Sequence, residues 1–137
     1  MTKPANLNEQ GLALQGYDPV SYSNGQPSIG NATITSSHEG ATYQFVNEAN
    51  KASFDRNPQR YMPQYGGFCA IAISEGKTFP VDPNNYIIAG EKLYLFYNGK
   101  LGNTRPQWEQ DPQAPQSSAD TNWANNALQI IYPTVDY

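Results

Sequence analysis

The sequence has little of the chemistry that is easiest to recognise. It holds one cysteine and one histidine, and only 15% of its 137 residues are charged. A single cysteine cannot form an internal disulfide, so cysteine usage does not indicate a redox compartment. Eight lysines and arginines against twelve acidic residues give a net charge of −4. Because phosphate groups are bound by clustered cations, and no basic run occurs, we expect no nucleic-acid partner.

Long apolar runs are missing as well. No stretch approaches the roughly 20 apolar residues that a bilayer-spanning helix needs, so we expect no membrane insertion. The first ten residues are polar and lack the apolar segment of a secretory signal peptide. Two interpretations stay open at this point, a cytoplasmic protein and a mature exported form that carries an added Met1.

Aromatic residues, in contrast, are plentiful. Ten tyrosines, five phenylalanines and two tryptophans supply rigid side chains for a core, and the length suits one domain. We expect a loose N-terminal segment over residues 1–11 and a single domain over residues 12–137.

Two pairs of segments have the pattern of β-hairpins. Residues 32–36 and 41–45 alternate and are rich in β-branched and aromatic types, with a polar connection ending in Gly40. Residues 86–88 and 92–97 enclose Ala-Gly-Glu and give the strongest strand signal in the chain. Both pairs predict antiparallel strands.

Helix signals lie between and after these hairpins. Asn47 is a good N-cap for a helix anchored by Phe54, and Asn57-Pro58 starts a second short turn. Residues 69–76 predict a short buried helix that ends at Gly76.

The C-terminal third predicts an ordered loop over residues 102–117, anchored by Trp108. A capping box at Ser117 then predicts a final helix over residues 119–131. The element order indicates a small α+β domain in which antiparallel β-hairpins pack with short helices.

Several of these segments together resemble the soluble YHS-domain family. The resemblance is carried by Gly-Tyr-Asp-Pro-Val at residues 16–20, by Asn-Pro-x-x-Tyr at residues 57–61, and by Pro-Gln-Tyr-Gly-Gly-Phe-Cys-Ala at residues 63–70. It covers residues 12–124. It implies an accessory domain of the heavy-metal-binding type, and an extracytoplasmic, periplasmic or secreted location, since family members often carry an export signal.

The metal site that the resemblance implies lacks its thiols in this chain. The family's metal-binding members have cysteines at positions that here hold Ser21, Val46 and Asn50. Soft metal ions need several converging thiolates or comparable ligands. We therefore expect the inherited site to be lost while the scaffold remains.

Cys69 is the remaining candidate for chemistry. It follows Gly66-Gly67 at the predicted start of a helix, where unpaired amides favour a thiolate. Such a thiolate can ligate a copper or zinc ion, with Met62 and His38 as further candidate ligands. The alternatives are that Cys69 is a small buried hydrophobe, that Met62 fills the core, and that His38 is exposed on its hairpin without a role.

The tyrosines offer a second type of site. Tyr17 and Tyr65, beside Gly66 and Gly67, are candidates for lining a shallow aromatic pocket for a small ligand or a protein partner. Catalysis is not expected, because His38 is the one ordinary base and no partner that would orient it is evident. Asp18 precedes a proline, where formation of a turn explains it.

The sequence thus predicts a non-catalytic accessory domain that binds a soft metal ion through residues 66–69. A metal-free module for a small ligand or a protein partner is the alternative, and a thiol-dependent enzyme is a third class.

Overall fold

The computed structural model describes residues 4–131, and within that range the fold is α+β, as predicted. Three two-stranded antiparallel sheets alternate with short helices along the chain. The strands are β1 Asn31–His38, β2 Ala41–Phe45, β3 Asp82–Ala89, β4 Lys92–Phe96, β5 Asn98–Gly99 and β6 Gly102–Asn103. The α-helices are α1 Glu48–Arg56, α2 Pro58–Tyr61, α3 Ala70–Ser74, α4 Arg105–Gln110 and α5 Gln113–Ala124.

The two predicted hairpins are confirmed. Strand β1 pairs with β2 from Asn31 opposite Phe45 to His38 opposite Ala41, and β3 pairs with β4 in the same antiparallel manner. Each pairing has one shift of register. Tyr43 and Phe45 both face the core from β2, as the alternation of the sequence requires.

The helices after the first hairpin begin where local signals place them. The Asn47 side chain accepts a hydrogen bond from the Asn50 N–H (2.8 Å), which caps α1. Phe54 is 1% exposed and packs against the rings of Tyr43 and Phe45. Pro58 opens α2, where its missing N–H costs no helical hydrogen bond.

Helix α3 confirms the buried helix predicted after the double glycine. Its apolar residues are sealed in the core, and Gly76 follows it with a φ of 80°. The chain just before α3 runs beside β4, with Pro63 bridged to Leu93 and Cys69 bridged to Leu95. This pairing fixes the double glycine against the second hairpin.

The C-terminal third differs from the prediction. The expected loop over 102–117 contains α4, because Trp108 is buried against the rings of Tyr94 (4.9 Å between centroids) and Phe96 (5.7 Å). The capping box was also a wrong signal, since Gln116 already donates to the Pro112 carbonyl and α5 starts at Gln113.

Helix α5 also ends earlier than the predicted residue 131. Asn126 takes a left-handed conformation with a φ of 52°, and its N–H bonds to the Trp123 carbonyl. Asparagine tolerates this conformation better than most residues, so it can end a helix as glycine does. Ile130 and Ile131 therefore lie beyond the helix on which they were predicted.

The N-terminal segment is held to the domain where the structure describes it. Asn6 donates from its backbone to the Gly66 carbonyl (2.9 Å) and from Nδ2 to the Gly67 carbonyl (3.0 Å). Leu7 pairs with Ala13. These contacts tie Asn6 and Leu7 to the domain, because the glycine turn offers carbonyl groups that need donors. None of the helices between residues 4 and 131 has the length and apolar character that crossing a bilayer requires.

Candidate functional site

One cleft brings together residues that the sequence analysis had assigned to different candidate sites. It lies between the first hairpin and residues 62–66, and its volume is about 450 Å³. His38 and Met62, the two extra metal candidates, line it together with the pocket candidates Tyr65 and Gly66. The remaining lining is Pro4, Ala5, Glu39, Ala41, Tyr43, Gln59, Pro63, Gln64 and Trp123.

The floor of the cleft is formed by Gln64, Tyr65 and Gly66, which belong to a tight turn that continues into the buried Gly67. Tyr65, Gly66 and Gly67 all have positive φ values, of 57°, 63° and 81°. A β-carbon added to Gly66 would lie 2.8 Å from Cη2 of Trp123 and 2.7 Å from the Pro4 carbonyl oxygen. Glycine is therefore required at this position, and it lets the indole ring close one side of the cleft.

The opposite wall is the tip of the first hairpin. His38 was predicted to be exposed, but its side chain is only 29% exposed and its ring stands edge-on to Phe54 at 6.2 Å. The Nε2 atom is buried and has no hydrogen-bond partner among the described residues. It lies 3.8 Å from the carboxylate of Glu39, whose own side chain is 64% exposed.

Two tyrosines of the cleft have carboxylates that act on their hydroxyl groups. Tyr65 donates a hydrogen bond to Oδ1 of Asp120 (2.7 Å). Burial, this hydrogen bond and the charge of Asp120 all raise the pKa of Tyr65. Burial, and next the charge of Glu39, raise the pKa of Tyr43 to about 12. Both phenols are therefore neutral hydrogen-bonding groups at ordinary pH.

Cys69 lies outside this cleft. It sits at the N-cap of α3 as predicted, but its side chain is 0% exposed, and its backbone N–H bonds to the Phe79 carbonyl (3.1 Å). Its Sγ is 3.3 Å from the hydroxyl of Thr104. The expectation of a reachable thiol is therefore corrected, because the pairing of this segment with β4 seals the sulfur in the core. Within residues 4–131, no group of three His, Cys, Asp or Glu side chains is arranged to hold a metal ion.

The other two pocket candidates also lie apart from the cleft lining. Tyr17 bridges to Ile29, and its hydroxyl accepts a hydrogen bond from Asn84 Nδ2 (3.2 Å). Gly67 is buried, and a β-carbon there would lie 3.4 Å from the ring of Pro63. Of the four pocket candidates, the structure thus brings Tyr65 and Gly66 to one site.

A second polar centre gathers the three positions at which the resemblance implied cysteines. Asp18 is fully buried, and its Oδ1 accepts from the N–H groups of Val20 (2.7 Å) and Ser21 (3.3 Å). Its Oδ2 accepts from the Val46 N–H (2.9 Å) and from Asn50 Nδ2 (2.8 Å). The three positions do converge, and the group at their centre is a carboxylate with four donors, which a turn role alone did not predict.

Trp123, Tyr43 and Glu39 line the cleft but were not candidates in the sequence. Trp123 fell within the predicted last helix, Tyr43 within a predicted strand, and Glu39 within the connection between two predicted strands. No local signal links them to residue 65, because they lie 22 to 58 positions from it along the chain. Gly66 carries the one hint, since two adjacent glycines indicate a close approach by another group.

A comparison of the chain with protein-family models, with curated proteins and with solved structures finds no match in any of the three. The resemblance to YHS domains therefore stays a prediction based on the quoted segments.

Proposed function

We propose that this domain is a non-catalytic binding module whose cleft takes one small organic molecule. The observation that carries the proposal is that Tyr43, Tyr65 and Trp123 meet the polar groups of the hairpin tip around one cavity. Its volume of about 450 Å³ lies in the range of small-molecule sites. Such sites combine an aromatic lining with a few polar groups that orient the ligand.

The local backbone supports a site that is formed before the ligand arrives. Tyr65 holds a left-handed conformation that is uncommon for residues other than glycine. It is kept there by its hydrogen bond to Asp120 and by packing against Tyr94 at 5.9 Å and Trp123 at 6.3 Å. Strained residues of this kind occur most often at ligand clamps and active sites.

A non-catalytic role is favoured by the surroundings of the one thiol. The polar side chain in contact with Cys69 Sγ is the Thr104 hydroxyl, which is not a base. A thiol-dependent enzyme needs a base within hydrogen-bond reach of its sulfur and an open path to it. Because Cys69 is fully buried, its position supports neither a nearby base nor an open path to the sulfur.

The test is to map bound fragments on the protein by NMR. Amide shifts are recorded while neutral, cationic and anionic fragments of similar size are added. We expect the largest shifts around Tyr65 and Trp123. In Gln59→Trp, an exposed helical residue of the cleft lining is enlarged, and binding should be lost. In Gln113→Trp, the same change is made at an exposed residue of α5 outside the lining, and binding should persist. Shifts that are scattered over the surface, or that Gln59→Trp leaves intact, would refute the proposal.

A soft metal ion is the second candidate, and one observation favours it: Met62 and the unpartnered His38 Nε2 belong to the same cleft. The same spectra recorded with copper(I) and with zinc separate the two candidates. A metal site would shift His38 and Met62 together and would be insensitive to Cys69→Ala. If these shifts are absent, binding of an organic molecule remains the proposed function of the cleft.

A further inference from the structure

Carboxylates lie in the described lining of the cleft and one hydrogen bond away from it. Glu39 lines it directly, and Asp120 lies one hydrogen bond behind Tyr65. No lysine or arginine belongs to its described lining. The Glu39 carboxylate lies 3.8 Å from Nε2 of His38, and its side chain is 64% exposed.

The aromatic groups add to the same preference. Tyr43, Tyr65 and Trp123 line the cleft; Tyr43 and Tyr65 are only 3% and 4% exposed, so the partly exposed indole of Trp123 is the ring most open to a ligand. Aromatic faces carry a negative quadrupole, and tryptophan and tyrosine attract cations most strongly. An accessible aromatic ring with a carboxylate nearby suits a substituted ammonium ion.

We propose that the ligand of this cleft is a small organic cation of the substituted-ammonium class, held by the indole of Trp123 and the carboxylate of Glu39. This inference rests on the proposed function. An inorganic cation would need converging oxygen ligands, and no such cluster of acidic side chains occurs in residues 4–131. An ammonium group with methyl substituents needs instead an aromatic surface and a nearby negative charge, and both are present.

The experiment compares choline with its neutral carbon isostere, in which a tert-butyl group replaces the trimethylammonium group. Both are titrated at low salt and mildly alkaline pH, and the shift of the Trp123 indole N–H is followed. Choline should bind at least about tenfold more tightly, because the two molecules have the same shape and differ in charge. Added salt should weaken the binding of choline and not that of the isostere.

Glu39→Gln and Glu91→Gln form a matched pair of variants. Both glutamates lie in hairpin turns with positive φ, 52° and 63°, but only Glu39 lines the cleft. Glu39→Gln should weaken choline binding about threefold, and Glu91→Gln should leave it unchanged. Equal effects of the two variants, or equal affinity for the two ligands, would overturn the cationic ligand.

The outcomes separate this inference from the function on which it rests. If neutral or anionic fragments occupy the cleft and choline does not, the proposal of a cationic ligand is wrong, but the proposal of a binding module is still supported. If fragments of every charge fail to bind there, the proposed function itself is refuted.

Discussion

Asp18 and Glu39 are both acidic residues close to the first hairpin, and they have opposite environments. Asp18 is 0% exposed and accepts four hydrogen bonds, so each carboxylate oxygen has two donors. Glu39 is 64% exposed, and its neighbour at 3.8 Å is an imidazole nitrogen that has no hydrogen bond. A polar centre that is fully satisfied from within stabilises the fold, whereas an exposed carboxylate beside a cavity is available to a ligand.

The largest effect that would test this contrast is expected at Asp18. Asp18→Ala removes the side-chain acceptor of the N–H groups of Val20 and Val46, and each such loss costs about 1–3 kcal/mol. We expect the free energy of unfolding, measured with urea, to fall by at least about 3 kcal/mol. Asp82→Ala is the matched control, since Asp82 also precedes a proline but accepts one exposed hydrogen bond. A loss of about 1 kcal/mol or less is expected there. Equal losses would contradict the structural role of Asp18.

An intermediate effect is expected at the floor of the cleft. Gly66→Ala and Gly90→Ala both place a side chain at a left-handed position, with φ values of 63° and 58°. Gly90 has no atom within 4 Å of the added carbon, so its variant should lose only the conformational cost of about 1–2 kcal/mol. Gly66→Ala also collides with Trp123 and Pro4, which should add about 1–3 kcal/mol. Urea unfolding measures both variants, and a similar loss in the two would show that the indole does not close on the glycine.

The smallest effect is a change in alkaline stability. The pKa of Tyr43 is raised to about 12 in the folded protein, chiefly by burial and secondarily by Glu39. The contribution of Tyr43 to the free energy of unfolding is complete below the tyrosine pKa of the unfolded chain, about 10. It is lost as the pH rises toward the pKa of the folded protein, because the unfolded chain releases its proton first. In that window the tyrosine removes about 1.4 kcal/mol of stability per pH unit.

Urea midpoints measured across that window check the sign and the cause. Tyr43→Phe should reduce the pH dependence of the free energy of unfolding by the slope that one proton causes. Glu39→Gln should leave most of that slope, since burial is the larger cause of the raised pKa. A decline that Glu39→Gln removes as fully as Tyr43→Phe would assign the shift to charge, and it would place Glu39 closer to the phenol than the structure does.

Much of the local structure could be predicted from the chain itself. Both hairpins follow from alternation and from their turn residues, and Asn47 caps α1 through a bond to a residue three positions away. The prediction was wrong where a distant contact outweighed local signals. Helix α4 forms where proline and glycine indicated a loop, because it buries Trp108 on β4.

For the candidate site too, the sequence indicated some features and was wrong about others. His38, Met62, Tyr65 and Gly66 were recognised by residue type, and the cleft does contain them. The assignment of His38 and Met62 to a metal centre with Cys69 depended on an exposed thiol. The structure buries that sulfur, because Cys69 is bridged to Leu95 of β4.

The sequence by itself determined the class of the fold, the hairpins, the capped helix and the special backbone at the double glycine. These features depend on interactions within about ten residues, for which residue type and spacing are sufficient. Only the tertiary structure decided that Asp18 is enclosed by donors, that Cys69 is sealed, and that Tyr65, Trp123 and Glu39 meet at one cleft. Those outcomes rest on contacts such as the bond from Tyr65 to Asp120, 55 positions apart, which form because the whole core is buried at once.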